Sequence, residues 1–179
     1  MSRRAIAVLL ILIVDVSYIA WGAMAAAWPD HLLGPHGTPI IVAGYEGFTR
    51  TSWSELTRTL PATARYIQVV YAMYGIYCVI FGLLTTVIAA TAFRRGERWA
   101  WWALLIGNTI ALVSATRYDW VVNAIGPFEL TEYLGLVLVY VALGLTFRES
   151  RAAAPPAARG LPATLSPQSA AGSNRGVSA

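Results

Sequence analysis

Apolar residues in this chain gather into four long runs instead of alternating or forming narrow stripes, and clusters of Arg, Gly and Pro separate the runs. The runs cover residues 5–28, 62–93, 99–118 and 128–147, each near or above the roughly 20 residues needed to cross a bilayer as a helix. The pattern predicts an all-α, polytopic membrane protein with four transmembrane helices in a bundle and a short surface helix in the first outer loop. Residues 1–151 form the four-helix domain in this reading. From Arg148 the composition turns to Ala, Pro, Ser and Gly, which bury too little apolar surface to offset the entropy of ordering, so 152–179 is expected to be a disordered cytoplasmic tail.

The punctuation between runs sharpens this picture. Arg3 and Arg4 precede the first run and Pro29 stops it. A cleaved signal peptide is the rival reading, because two arginines, an apolar core and Ala25–Ala27 imitate its three regions. Asp15 interrupts that core, while Trp21 and Trp28 suit an interfacial belt at the far end of a retained span. In the connection at 29–61, Pro29, Gly34, Pro35, Gly37 and Pro39 discourage regular structure in the first half. Ser52 followed by Glu55 fits a capping box, in which each side chain satisfies a free amide at a helix start, so a surface helix is predicted over Trp53–Leu60. Pro61 suits the first turn of the second span. The third span opens on Trp99, Trp101 and Trp102, which are expected to anchor it among the headgroups.

Composition and charge then exclude whole classes. Hydrophobic residues make up 57% of the chain and charged residues 12%, with mean hydropathy +0.57, whereas soluble domains carry about 25% charged residues. All 13 basic residues are Arg, a bias that fits a GC-rich, bacterial genome. Topology follows their placement and not the net charge of +4. With the N-terminus inside, Arg3, Arg4, Arg94, Arg95, Arg98, Arg148, Arg151, Arg159 and Arg175 lie on the inner side, against Arg50, Arg58, Arg65 and Arg117 outside. The expected location is the inner (plasma) membrane with both termini cytoplasmic. Arginines explained by topology leave no nucleic-acid surface, so the partners expected are the lipid bilayer and, beyond it, a membrane protein or a second copy of the chain. Cys78 is the only cysteine, and His31 and His36 both fall in the first loop, so no thiolate cluster or intramembrane bis-histidine haem can form. No phosphate-binding loop, dinucleotide fingerprint, nucleophile elbow or CxxC is present, and no cofactor or catalytic residue is assigned.

Ionisable groups in hydrocarbon cost at least about 2.5–3.5 kcal/mol, so each should face the interior of the protein. At 1.5 Å of rise per residue from the inner end, Asp15, Asn108, Thr85 and Tyr140 fall at roughly 11 to 15 Å and are expected to form a midplane cluster. Nearer the outside lie Tyr18, Tyr77, Ser114 and Glu132, with Arg117 and Glu129 at roughly 27 Å. Glu129, Glu132 and Tyr133 share one helix face, and an Arg117–Glu132 ion pair is the leading contact expected. The binding candidates are Asp15, Tyr18, Asn108, Arg117, Glu129, Glu132 and Tyr140. Two stripes of small or polar residues, Asp15–Tyr18–Gly22–Ala26 and Tyr71–Gly75–Cys78–Gly82–Thr85–Ala89, should let the first two spans approach closely. Any pocket should open toward the outer, tyrosine-rich end, although Tyr66, Tyr71, Tyr74 and Tyr77 spread around the second span and most read as packing or belt residues.

The segments FRRGERWAWWALL (Phe93–Leu105) and GFTRTSWSEL (Gly47–Leu56) resemble a pattern in small, uncharacterised four-helix membrane proteins of actinobacteria and related high-GC bacteria. The resemblance spans about residues 5–147 and implies no function. DoxX-like proteins and the emopamil-binding group, whose members hold carboxylates in a bundle that binds cationic sterol-like ligands, share only the general idea of carboxylates in a four-helix bundle, with no motif matched residue by residue. The functional expectation is a structural or accessory subunit of a membrane assembly. Its alternative is binding or transport of a small lipophilic or cationic ligand or of protons, and a weaker one is a membrane enzyme acting on a lipid or quinone.

Overall fold

A computed structural model describes residues 2–32, 37–123 and 130–152. Those residues form six helices and no β-strand: α1 (Arg3–Ala27), α2 (Ile40–Thr49), α3 (Trp53–Thr59), α4 (Pro61–Ile88), α5 (Arg98–Val122) and α6 (Leu130–Ala152). A π-helical turn, Ala89–Phe93, prolongs α4. Four of the helices, α1, α4 with its π turn, α5 and α6, are long and apolar enough to cross a membrane, and they match the four predicted runs. The expected start of the last run at 128 and nearly all of the C-terminal tail lie outside the described residues.

Local chemistry sets most boundaries. The Ser2 hydroxyl accepts from the Ala5 amide at 3.2 Å and opens α1. Ser52 caps α3 as expected, accepting from the Ser54 amide at 3.2 Å, but the return half of the box is supplied from elsewhere. Glu46 of α2, not Glu55, takes up an amide there, accepting from Trp53 at 2.8 Å. The helix α2 itself corrects the irregular reading of this connection. It begins directly after Pro39, the last of the run of breakers, and ends on Arg50 in the left-handed region at φ 61°. Likewise α5 continues one turn beyond the expected end at 118 and stops at Asn123, φ 51°, which makes Asp119 a helical residue.

Helices α1 and α4 approach backbone to backbone, and the small-residue stripes cause it. A Cβ on Gly75 would stand 2.6 Å from the Gly22 carbonyl oxygen and 2.7 Å from the Ala26 amide nitrogen, and one on Gly22 would stand 2.6 Å from the Gly75 carbonyl. Only hydrogen fits at either position. On its other flank α1 meets α6, and α6 in turn packs on α5, so the four long helices run in the spatial order α4, α1, α6, α5. Three rungs join α5 to α6: Trp101 Nε1 donates to the Leu143 carbonyl at 3.0 Å, the Thr109 and Tyr140 hydroxyls lie 3.0 Å apart, and Trp120 Nε1 donates to the Tyr133 hydroxyl at 2.8 Å. Trp101 is therefore buried and not a headgroup anchor, since it shares a face with Ala100, Leu104 and Asn108, whereas Trp99 and Trp102 are exposed.

Closure between α4 and α5 is confined to one end. There Ala89, Ala92 and Phe93 of the π turn pack with Ala7, Val8, Ala100 and Trp101. Arg4 seals the same end by pairing with Glu149 at 2.6 Å, its guanidinium lying over Gly96, whose φ of 83° and missing side chain leave room for it. Elsewhere the two helices scarcely touch. Outward-facing residues are apolar along the length of all four, including Leu9, Ile13, Ile80, Leu83, Ile106, Val113, Val137 and Val141, a continuous apolar surface that suits acyl chains and not water.

Candidate ligand-binding cavity

The gap left between α4 and α5 is a cavity of about 950 Å³. Its floor is Phe81, whose ring lies 3.5 Å from where a Cβ on Gly107 would stand. From α4 its wall takes Tyr66, Ile67, Val70, Tyr71, Tyr74, Tyr77, Cys78 and Phe81. At about 100° per residue these fall within one arc of about 140°, so the four tyrosines that read as scattered packing residues share a broad face. That face adjoins the Gly75–Gly82 stripe against α1, which leaves α4 packing on one side and lining a void on the other. Across the gap stand Ile110, Ala111, Ser114, Ala115, Tyr118, Val121 and Val122 of α5. With 1.5 Å of rise per residue the walls are about 18 to 22 Å long.

Helix α2 covers the end of this space with Ile41, Gly44, Tyr45, Phe48 and Thr49. It is fixed by the Glu46 cap on α3, by the Tyr45–Trp53 ring contact at 5.4 Å, and by Gly47, which sits directly on the Val122 carbonyl at the end of α5. A methyl group on Gly47 would collide with that oxygen, so Gly47→Ala is expected to loosen the cover by about 1–3 kcal/mol. Amide hydrogen exchange over Ile40–Thr49 should accelerate about tenfold or more while that of α1 stays unchanged.

A second, smaller recess shares Tyr71, Tyr74, Ala115 and Tyr118 with the cavity and adds Trp21, Ile40, Asp119 and Glu132. Three of its rings form a cluster, with Trp21 to Tyr71 at 6.1 Å, Trp21 to Tyr74 at 5.6 Å and Tyr71 to Tyr74 at 6.3 Å. Tyr18 of α1 lines the larger cavity, edge-on to Phe81 at 5.7 Å, and its buried hydroxyl has no hydrogen-bond partner among the described residues.

The sequence-derived candidates divide into three groups against this geometry. Tyr18 and Glu132 line the cavity and its recess. Asp15 and Asn108 are fully buried in the packing between helices and lie outside those walls. Asp15 accepts from Thr85 at 2.7 Å and from Thr86 at 3.5 Å, tying α1 to α4 as its depth implied, whereas the Asn108 amide donates to its own helix at the Leu104 carbonyl, 3.0 Å away. Tyr140 and Arg117 are exposed, so Tyr140 stands outside the expected midplane cluster and joins Thr109 instead. Among the ion pairs of the described residues there is none between Arg117, which is exposed, and Glu132, which lines the recess. Glu129 lies outside the described residues. Of the first-loop histidines, His31 sits exposed beside Asp30 at 2.9 Å, and His36 is outside the described residues. Sequence reasoning missed Asp119, Tyr45 and Phe48, because the first was placed in a loop and the other two belong to the unanticipated α2.

The Asp15 tie is testable. Asp15→Ala removes both cross-helix acceptors, and Thr85 then falls back on its own Phe81 carbonyl, 2.9 Å away. Hydrogen bonds between membrane helices average about 0.6 and reach about 1.7 kcal/mol, so the loss should be about 1–2 kcal/mol, read as a lower Tm in detergent, with Asp15→Asn less affected. Compared with protein-family models, curated proteins and solved structures, the chain matches none.

Proposed function

We propose that the protein spans the inner membrane four times as a helical bundle, with both termini on the cytoplasmic, arginine-rich side, and that it binds a small lipophilic molecule in the space between α4 and α5. The observation that carries this reading is the cavity itself. Ligand pockets measure about 300–1,000 Å³ and are lined by apolar and aromatic side chains with a few polar groups, and 950 Å³ walled chiefly by Tyr, Val, Ile and Phe fits that description. In this orientation it lies in the outer half of the bilayer.

The accessory-subunit reading has weaker support. The small-residue stripes that suggested a partner are consumed inside the chain, between α1 and α4. Proton handling by Asp15 and Asn108 has no cavity beside either residue in its favour among the spaces described above. Lipid-class mass spectrometry of protein purified in mild detergent tests the proposal: one lipophile should co-purify near one per chain and be depleted in a variant whose cavity is filled. Bulk bilayer lipid alone, in equal amount on both proteins, would refute it.

A further inference from the structure

We infer that the lipophile carries an oxyanion head, a phosphate or carboxylate, which rests against Arg117 and Arg65 at the membrane-facing mouth of the cavity while the apolar body lies between α4 and α5. This rests on the lipophile-binding proposal above and adds the charge of the polar end.

Among the described residues that line the cavity none is charged, so the walls favour neither sign and the choice falls to the rim. Exposed wall residues mark the side that faces the acyl chains: Tyr66 and Tyr77 on α4, Ile110 and Val121 on α5. At about 100° per residue Arg117 falls about 20° from Ile110 and about 40° from Val121, on that same edge of α5. Arg65 directly precedes Tyr66 in the second turn of α4. Each lip of the mouth thus carries one arginine. Both are exposed, and neither belongs to an ion pair among the described residues.

Arg117 is the stronger anchor. It lies five residues, about 7 to 8 Å, inside the end of α5, so in the proposed orientation its guanidinium starts below the outer headgroups. A cation at that depth reaches outward or meets an opposite charge, and an oxyanion lodged in the mouth satisfies it where it stands. The guanidinium fork matches a phosphate or carboxylate in two parallel hydrogen bonds, which an alcohol cannot accept as well. Acids of the outer end do not stand in the way. Asp119 is buried two residues, about 200°, around α5 from Arg117, Glu132 lines the recess and not the cavity, and Glu46 is engaged by the Trp53 amide. Glu55 of α3 is exposed, and Arg50, Arg58 and Arg65, all exposed, outnumber it on this side.

The test compares amphiphiles with the same tail. The full chain in neutral maltoside micelles is titrated with dodecyl phosphate, dodecanol and dodecyltrimethylammonium, and occupancy is read by native mass spectrometry. Wild-type protein should bind the phosphate about tenfold more tightly than either of the others. Arg65→Gln/Arg117→Gln should bring the phosphate within about twofold of dodecanol and leave dodecanol binding unchanged, which also certifies that the variant is folded. Equal binding of the three probes by the wild type overturns the inference and leaves the lipophile proposal standing. A preference for the ammonium does the same, as does a phosphate preference that survives in the variant, since the arginines of the cytoplasmic end would then account for it. Should no probe bind the wild type, both readings fail. The wild-type comparison decides the matter even if the double variant does not fold. Repeating it with dodecanoate and with a lauroyl lysophosphatidylglycerol separates a free fatty acid from a phospholipid headgroup as the source of the oxyanion, and tighter binding of either than of dodecanol supports the inference.

Discussion

Gly75→Leu is expected to abolish the folded protein. A side chain at this position must begin 2.6 Å from the Gly22 carbonyl and 2.7 Å from the Ala26 amide, and both obstacles are backbone of a helix that cannot swing aside. Overpacking ordinarily costs about 1–3 kcal/mol and occasionally more. Separating α1 from α4 also breaks the Asp15–Thr85 bond and unseats Cys78 and Gly82, so the cost should exceed about 3 kcal/mol. Detergent-solubilised protein should aggregate on size exclusion, and Gly75→Ala should show a smaller fall in Tm. Gly144→Ala is the matched control: nothing lies within 4 Å of its added methyl group, and alanine in place of glycine should leave the Tm unchanged or raise stability by up to about 1 kcal/mol. A Gly75→Leu protein that melts like wild type would show that the α1–α4 contact is not what holds the molecule together.

Ser114→Trp should have the opposite profile, with the fold intact and binding gone. Ser114 stands in the α5 wall, and an indole there projects into the open space and not into packed neighbours. Occupancy by the co-purifying lipophile should drop at least tenfold, a loss of about 1.4 kcal/mol or more, with Tm within a few degrees of wild type. Val113→Trp places the same ring one residue away on the exposed apolar side and should bind normally. Equal occupancy in the two variants would place the ligand somewhere other than between α4 and α5.

The four long helices were legible because twenty-residue apolar runs have few other uses, and the α1–α4 contact because small residues recur at helical spacing. Ser52 announced α3 through an ordinary cap. Height along a helix was legible too, since rise per residue is fixed, and it placed Asp15 level with Thr85. Azimuth was less so. Arg117 and Glu132 stand at similar heights, but Arg117 lies two residues, about 200°, from the buried Ala115 and points away. Tyr140 is turned about 100° from the buried Val139 and meets Thr109 at the surface. The helix α2 was obscured by its proline-rich approach, which governs where a helix can begin but says nothing about the ten residues after Pro39. The cavity left the faintest trace. A void is a relation between two helices that fail to meet, and neither the tyrosines of α4 nor the small residues of α5 encode that failure alone.

The cover formed by α2 has a consequence for how occupancy should be measured. With Gly47 seated on the end of α5 and Glu46 tied to α3, α2 covers that end of the space, and in the proposed orientation a lipophile enters sideways between α4 and α5 from the acyl chains. The quantity that sets saturation is then the mole fraction of ligand in the bilayer, not its molarity in the buffer. Diluting proteoliposomes a hundredfold at constant composition should leave a strongly partitioned ligand in place, whereas adding empty vesicles should strip it.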